Sequence, residues 1–116
     1  MQSQVEQNLQ NSISQMKKGF LEMLVLKITS KKPVYVFEIL EELKKADLEI
    51  VEGTMYPLLN RLKREGLLEY DWEESTSGPP RKYYKLSGGG EEYLQKLITA
   101  RSQIEKKLKL ILDDKN

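Results

Sequence analysis

Apolar residues recur along most of this chain at helical spacing, with one short interval of strand spacing. Val5, Leu9, Ile13 and Met16 are three or four positions apart. They continue through Phe20, Leu21, Leu24, Val25 and Ile28 as one amphipathic stripe. Gly19 costs about 1 kcal/mol in a helix interior relative to alanine, so it either divides this stretch into two helices or lets a neighbour approach closely. Ser30-Lys31-Lys32-Pro33 ends the stretch, because proline disfavours helical geometry in the residue before it. A second helix is predicted from Val36 to Ala46, with Phe37, Ile39, Leu40 and Leu43 inward and Glu41, Glu42, Lys44 and Lys45 toward water. After a connector from Asp47 to Glu52, a third helix starts at Gly53-Thr54 and runs to Arg64, burying Met55, Leu58, Leu59 and Leu62. Pro57 falls near its first turn, where proline is tolerated. Gly66 stands where a helix C-cap glycine belongs.

The period then changes to two. Leu68, Tyr70 and Trp72 alternate with Glu69, Asp71 and Glu73, which predicts a strand. Ser75 to Pro80 reads as a loop. Arg81 to Leu86 alternates again, with Tyr84 and Leu86 on one side and Arg81, Tyr83 and Lys85 on the other. Three helices and then a hairpin is the order of a winged helix. Gly88-Gly89-Gly90 breaks the chain, and a last helix from Glu91 to Asp113 would be about 35 Å long at a rise of about 1.5 Å per residue. Leu94, Leu97, Ile104, Leu108 and Ile111 fit a and d heptad positions, with Arg101 in the d position between Leu97 and Ile104. The expected fold class is mainly α with a small β-hairpin. Residues 1–87 would form a winged helix-turn-helix with an N-terminal helical extension, and residues 88–116 a C-terminal dimerisation helix. Its dimer interface would comprise Leu94, Leu97, Ile98, Arg101, Ile104, Leu108 and Ile111.

Composition narrows the chemistry. A chain of 116 residues is one domain with a modest core. It has neither cysteine nor histidine, which removes disulfides, thiol nucleophiles, imidazole acid-base chemistry and nearly every zinc or copper site. The adjacent carboxylates Glu41-Glu42 and Glu73-Glu74 do not face each other in a helix or strand, so they are surface charge rather than an acid-base pair. No catalytic residue, cofactor or metal is expected, and an enzyme is not. The start of the chain lacks the features of a signal peptide, and Gly19 to Ile28 is too short to span a bilayer and carries Glu22 and Lys27. A cytoplasmic protein is expected. The net charge of +1 neither supports nor forbids a nucleic-acid partner, so the placement of the positive residues decides.

Opposite its buried stripe, the third helix presents Thr54, Tyr56, Pro57, Asn60, Arg61, Lys63 and Arg64. Asparagine can bond adenine and arginine guanine, while hydroxyls and cations hold phosphates. The same residues would also make an ordinary solvated face. Arg81 and Lys82 follow the Gly-Pro-Pro turn, where a wing lies along a phosphate backbone, or else they balance Asp71, Glu73 and Glu74 across the ladder. Lys17 and Lys18 could add phosphate contacts or be plain surface lysines. Trp72 with Tyr70, Tyr83 and Tyr84 could stack on single-stranded bases. Packing of the hairpin is favoured, because these positions alternate with charged ones. Two functions remain: a homodimeric regulator of double-stranded DNA, or a winged-helix protein-interaction module without DNA binding. They differ in whether Arg61, Lys63, Arg64, Arg81 and Lys82 converge on one face.

Gly53-Thr54-Met55-Tyr56-Pro57-Leu58-Leu59, Arg61-Leu62 and Glu65-Gly66-Leu67-Leu68 closely resemble the signature of PadR-like transcriptional regulators. Gly78-Pro79-Pro80-Arg81-Lys82-Tyr83-Tyr84-Lys85-Leu86-Ser87 with Gly90 resembles that family's wing, and Gln15-Met16-Lys17-Lys18-Gly19 its opening helix. The resemblance spans residues 15–90. It implies a dimeric winged-helix repressor whose C-terminal helix packs on the partner's N- and C-terminal helices. Thr54, Tyr56 and the basic residues of helix three would meet DNA, with Arg81 and Lys82 on the wing and Tyr35 near a phosphate. It also implies a small-molecule effector, since some members sense phenolic acids or flat cationic drugs at the dimer centre. Three departures stand out. Tyr35-Val36-Phe37-Glu38-Ile39 lacks a glycine before the aromatic residue. Ser87 replaces a threonine but keeps a hydroxyl to cap the last helix. Arg101 stands where drug-sensing members carry tryptophan and would repel a flat cation. Arg101 would therefore pair with an acidic residue across the dimer, line a pocket for an anionic ligand, or reach solvent along its aliphatic stem.

Overall fold

A computed structural model describes residues 2–113. The element order is α1 (Gln2–Lys31), α2 (Val36–Lys45), α3 (Glu52–Arg64), β1 (Leu68–Ser75), β2 (Gly78–Leu86) and α4 (Gly88–Leu112). This is the mainly helical, winged-helix class that the periodicities predict.

The core forms where the apolar stripes of the three domain helices meet the hairpin. Leu21, Val25 and Leu26 of α1, Ile39 and Leu43 of α2, and Met55, Leu59 and Leu62 of α3 are buried together with Leu68 and Tyr84 of the wing and Leu94 of α4. α1 is a single helix of 30 residues. Gly19 neither divides it nor makes room for a neighbour, since a Cβ there would meet no atom within 4 Å. In α2 the inward stripe is Val36, Ile39 and Leu43. Phe37, expected inside, is 56% exposed, because it lies a quarter-turn from that stripe. Pro57 sits in the second turn of α3 rather than the first. The bond that its missing N–H forfeits would have gone to the carbonyl of Gly53, an exposed residue that water can serve.

Both helix–turn junctions close in the same manner. At the end of α3, Leu67 N donates to Leu62 O (2.9 Å) and Gly66 N to Lys63 O (3.0 Å), with Gly66 at φ 77°. At the end of α2, Leu48 N donates to Leu43 O (2.9 Å) and Asp47 N to Lys44 O (2.9 Å), and Asp47 takes the left-handed conformation at φ 59°.

The wing is longer than its alternation suggests. β2 begins at Gly78, and Ser75 pairs directly with Gly78, so the turn is only Thr76-Ser77. Between the Glu73–Arg81 and Ser75–Gly78 pairs the register shifts by one residue. Pro79 and Pro80 occupy that irregularity, where a missing N–H breaks no ladder bond. Val34 pairs antiparallel with Tyr84: Val34 N donates to Tyr84 O (2.9 Å) and Tyr84 N to Val34 O (2.7 Å). This short third rung fastens the start of α2 to the wing.

The three glycines after the wing form the first turn of α4 instead of breaking the chain. Ser87 caps it as expected, accepting from Gly90 N at 2.9 Å while its hydroxyl donates to Gly66 O at 2.7 Å. Any Cβ on Gly90 would collide with the Leu67 carbonyl oxygen and with Leu86 Cδ1. The first half of α4 packs on α1; from Ile104 onward it is exposed.

Candidate nucleic-acid interface

The face formed by α3 and the wing starts from the inward stripe of α3. With Met55, Leu59 and Leu62 fully buried, Tyr56, Pro57, Asn60, Lys63 and Arg64 are left exposed on the other side and Thr54 half-buried. The Val34–Tyr84 rung sets Tyr35 beside β2, and the Tyr35 N–H donates to Glu38 Oε1 at 3.1 Å, holding it at the mouth of α2. The rings of Tyr35 and Tyr83 lie 5.4 Å apart. The starts of α2 and α3 and the wing thus enclose a cleft of about 380 Å³, lined by Tyr35, Phe37, Tyr56, Trp72, Arg81 and Lys82 among others. Glu52 is the one acidic residue on its wall.

The cations here are held by rings, not by carboxylates. The Arg81 guanidinium lies 4.5 Å from the centre of the Tyr35 ring. Lys82 Nζ is 4.6 Å from the Tyr70 ring and 5.3 Å from that of Trp72, and Lys63 Nζ approaches the same Tyr70 ring at 5.0 Å. Among the described residues, ion pairs are made by Lys45, Arg61, Lys85, Lys96 and Arg101. Lys63, Arg64, Arg81 and Lys82 make none. The ladder does place Arg81 opposite Glu73, yet the side chains do not pair. Lys85, further along, takes the cross-strand role with Glu69 at 3.9 Å. Burial, and then the proximity of Tyr56 and Tyr70, push the Tyr84 phenol above its usual 10.0. Ring-held cations keep their charge and their free N–H donors for an incoming anion.

Not every anticipated residue joins this face. Arg61 turns away: its guanidinium is 3.1 Å from Glu65 and 3.7 Å from Glu22 of α1. Lys17 lines a groove between α1 and α4, together with Met16, Phe20, Met23 and Arg101, that shares no residue with the α3–wing cleft. Lys18 is exposed on α1 and lines neither. Two cleft residues were not among the expected duplex contacts: Phe37, read as inward, and Trp72, read as hairpin packing with base stacking as the alternative. Trp72 is 61% exposed and edge-on to Tyr70, so its ring is available rather than packed away. A signal for Phe37 existed: Val36, Ile39, Leu40 and Leu43 already satisfy the i, i+3, i+4, i+7 spacing without it.

The anticipated dimer residues divide. Leu94 is buried in the chain's own core, and Leu97 and Ile98 pack partly against it. At 2% exposure Leu94 has no surface left for a partner. Ile104, Leu108 and Ile111 remain half or more exposed. Arg101 pairs with Glu105 one turn along its own helix, with Nη1 to Oε1 at 3.0 Å. Both residues line the α1–α4 groove. Among the described residues no helix is long and apolar enough to cross a membrane.

Comparison with known proteins agrees with this architecture. The model of the transcriptional regulator PadR-like family matches residues 25–96. A PadR-like transcription factor from Bacteroides fragilis is 48% identical, with 87% of this chain and 98% of that one covered and a TM-score of 0.75. A PadR-like transcriptional regulator from Bacillus cereus is 34% identical over 87% of this chain and 99% of its own, with a TM-score of 0.76. A PadR family transcriptional regulator from Eggerthella lenta superposes with a TM-score of 0.92 at 26% identity, covering 98% and 99% of the two chains.

Proposed function

Because this chain belongs to the PadR-like family of DNA-binding transcriptional regulators, we propose that it is a repressor that binds an inverted-repeat operator as a homodimer. The observation that carries this reading is the α3–wing face, where Arg81 and Lys82 in the cleft, and Lys63 beside it on the Tyr70 ring, rest on aromatic rings without a carboxylate partner among the described residues. In this reading α3 enters the major groove. Asn60 and Arg64 reach base edges, and Thr54, Tyr56, Lys63 and the wing residues fix the register on phosphates. Tyr35 braces Arg81 at the backbone.

Dimerisation is inferred from apolar surface that one chain leaves uncovered. Ile104, Leu108 and Ile111 on α4, with Val5, Leu9, Met16 and Phe20 on α1, are exposed along two neighbouring helices. A two-fold pair would bury both sets and set the recognition helices about one turn of DNA apart, or a multiple of it. The groove carrying Arg101 and Glu105 is the place for an effector within this proposal; one that widened it would change the spacing of the two recognition helices. An Arg101→Leu variant with unchanged ligand response would remove Arg101 from that role.

Selection from a random duplex pool tests the reading. Enrichment of an inverted repeat with half-sites about one helical turn, or a multiple, apart is the expected result. Equal weak binding to all duplexes would favour a protein partner instead.

A further inference from the structure

A cluster away from the cleft joins the recognition helix to the two helices that carry the exposed apolar faces. Glu22 belongs to α1, Arg61 to α3, Glu65 to the C-cap of α3, and Tyr93 to the second turn of α4. Arg61 Nη1 donates to both oxygens of Glu65, at 3.1 and 3.3 Å. The same nitrogen is 3.7 Å from Glu22 Oε1, an ion-pair distance but not a hydrogen bond. Among the described residues, Glu22 Oε1 is fully buried and accepts no hydrogen bond. A buried carboxylate oxygen left unsatisfied is costly, so its presence calls for a reason. Glu22 reaches α4: its charge is the largest cause raising the Tyr93 phenol above its usual value, followed by burial, by hydrogen bonding of the phenol to the Glu22 carboxylate and by the charge of Glu65, with Arg61 acting in the opposite direction.

We propose that Arg61 is a positioning residue of the recognition helix rather than a DNA contact, and that the Glu22–Arg61–Tyr93 cluster couples the setting of α3 to the α1–α4 pair. The proposal rests on the reading of α3 as the helix that enters DNA. A planar guanidinium can serve Glu65 at the C-cap of its own helix and Glu22 on α1 together only within a narrow range of rotation of α3. The Glu22 contact is the looser of the two, so it yields first when α1 or α4 shifts. A tightly satisfied pair would lock the helices, whereas a half-made one lets them move between two settings. The exposed stripe of α3 meanwhile runs through Tyr56, Asn60, Lys63 and Arg64, a row that Arg61 leaves by a quarter-turn.

The test uses Glu22→Gln, Arg61→Gln and the double variant on a duplex selected by the unaltered protein. Affinity is read across a salt series, and amide hydrogen exchange is measured on the free proteins. Each single variant is expected to weaken specific binding about tenfold with the salt slope unchanged, and the double variant to bind no more weakly than the worse single one. Amides of residues 52–64 are expected to exchange faster in both. A phosphate contact would instead flatten the slope of Arg61→Gln by roughly 1.8 for a dimer, with Glu22→Gln like the unaltered protein, and that result would overturn the proposal. If no duplex is selected, the DNA reading fails by itself. Exchange then decides: faster exchange over 52–64 in Glu22→Gln supports the coupling, and unchanged exchange refutes it. Should Arg61→Gln not fold, Arg61→Lys replaces it. Because it keeps the charge and loses the fork, affinity and exchange decide in place of the slope. Weaker binding and faster exchange over 52–64 are expected, and binding and exchange like the unaltered protein would overturn the proposal.

Discussion

At Gly90 the start of α4 crosses the end of α3 so closely that a methyl group would strike the Leu67 carbonyl and Leu86 Cδ1. That carbonyl cannot move aside freely, because it accepts from Ser87 N at 3.1 Å. Two effects compete in Gly90→Ala. Helix propensity favours alanine by about 1 kcal/mol, while forcing a methyl against fixed backbone costs about 1–3 kcal/mol or more. The collision is with backbone, so the second effect wins, and thermal unfolding should fall by roughly 5–10 °C. A rise in Tm would show that the crossing is looser than described. Asp47 presents the reverse case. It holds a left-handed conformation at φ 59° that costs a residue with a Cβ about 1 kcal/mol, so Asp47→Gly should raise Tm by a few degrees. A fall would mean that the Asp47 side chain contributes something its backbone does not reveal.

At the scale of elements, the helices and hairpin were legible because each carries its own period. The misread parts are those where a neighbour decides. Gly88-Gly89-Gly90 looks like a breaker in isolation, but Ser87 caps it and Gly90 must be small, so the run becomes a helix start. Phe37 looks inward by hydrophobicity alone, whereas the cleft beside the wing gives it somewhere else to lie. The heptad stripe of α4 reads as one seam, yet its first turns belong to the chain's own core and only the rest is free. That division sets a prediction. Leu108→Asp with Ile111→Asp should convert a dimer into a monomer at micromolar concentration, measured by sedimentation. Neither side chain supports the protomer core, so helical circular dichroism should largely persist. An unchanged mass would place the dimer contact elsewhere.

For the whole molecule, a net charge of +1 conceals a segregated surface. Carboxylates take up Arg61, Lys85 and Arg101, while Lys63, Arg81 and Lys82 sit on rings at one face. The sequence left open whether Arg81 and Lys82 balance the acids of β1. What settles their surroundings is the Val34–Tyr84 rung, which brings Tyr35 to Arg81 from a distant part of the chain. No local period could announce that contact. The most direct measurement is the salt dependence of binding to a selected duplex, comparing the unaltered protein with Arg81→Ala/Lys82→Ala at equal thermal stability. Each lost phosphate contact should reduce the slope of log K against log salt by about 0.9, so two cations in each half of a dimer should remove roughly 3.6. A slope that does not change would contradict the assignment of this face to DNA.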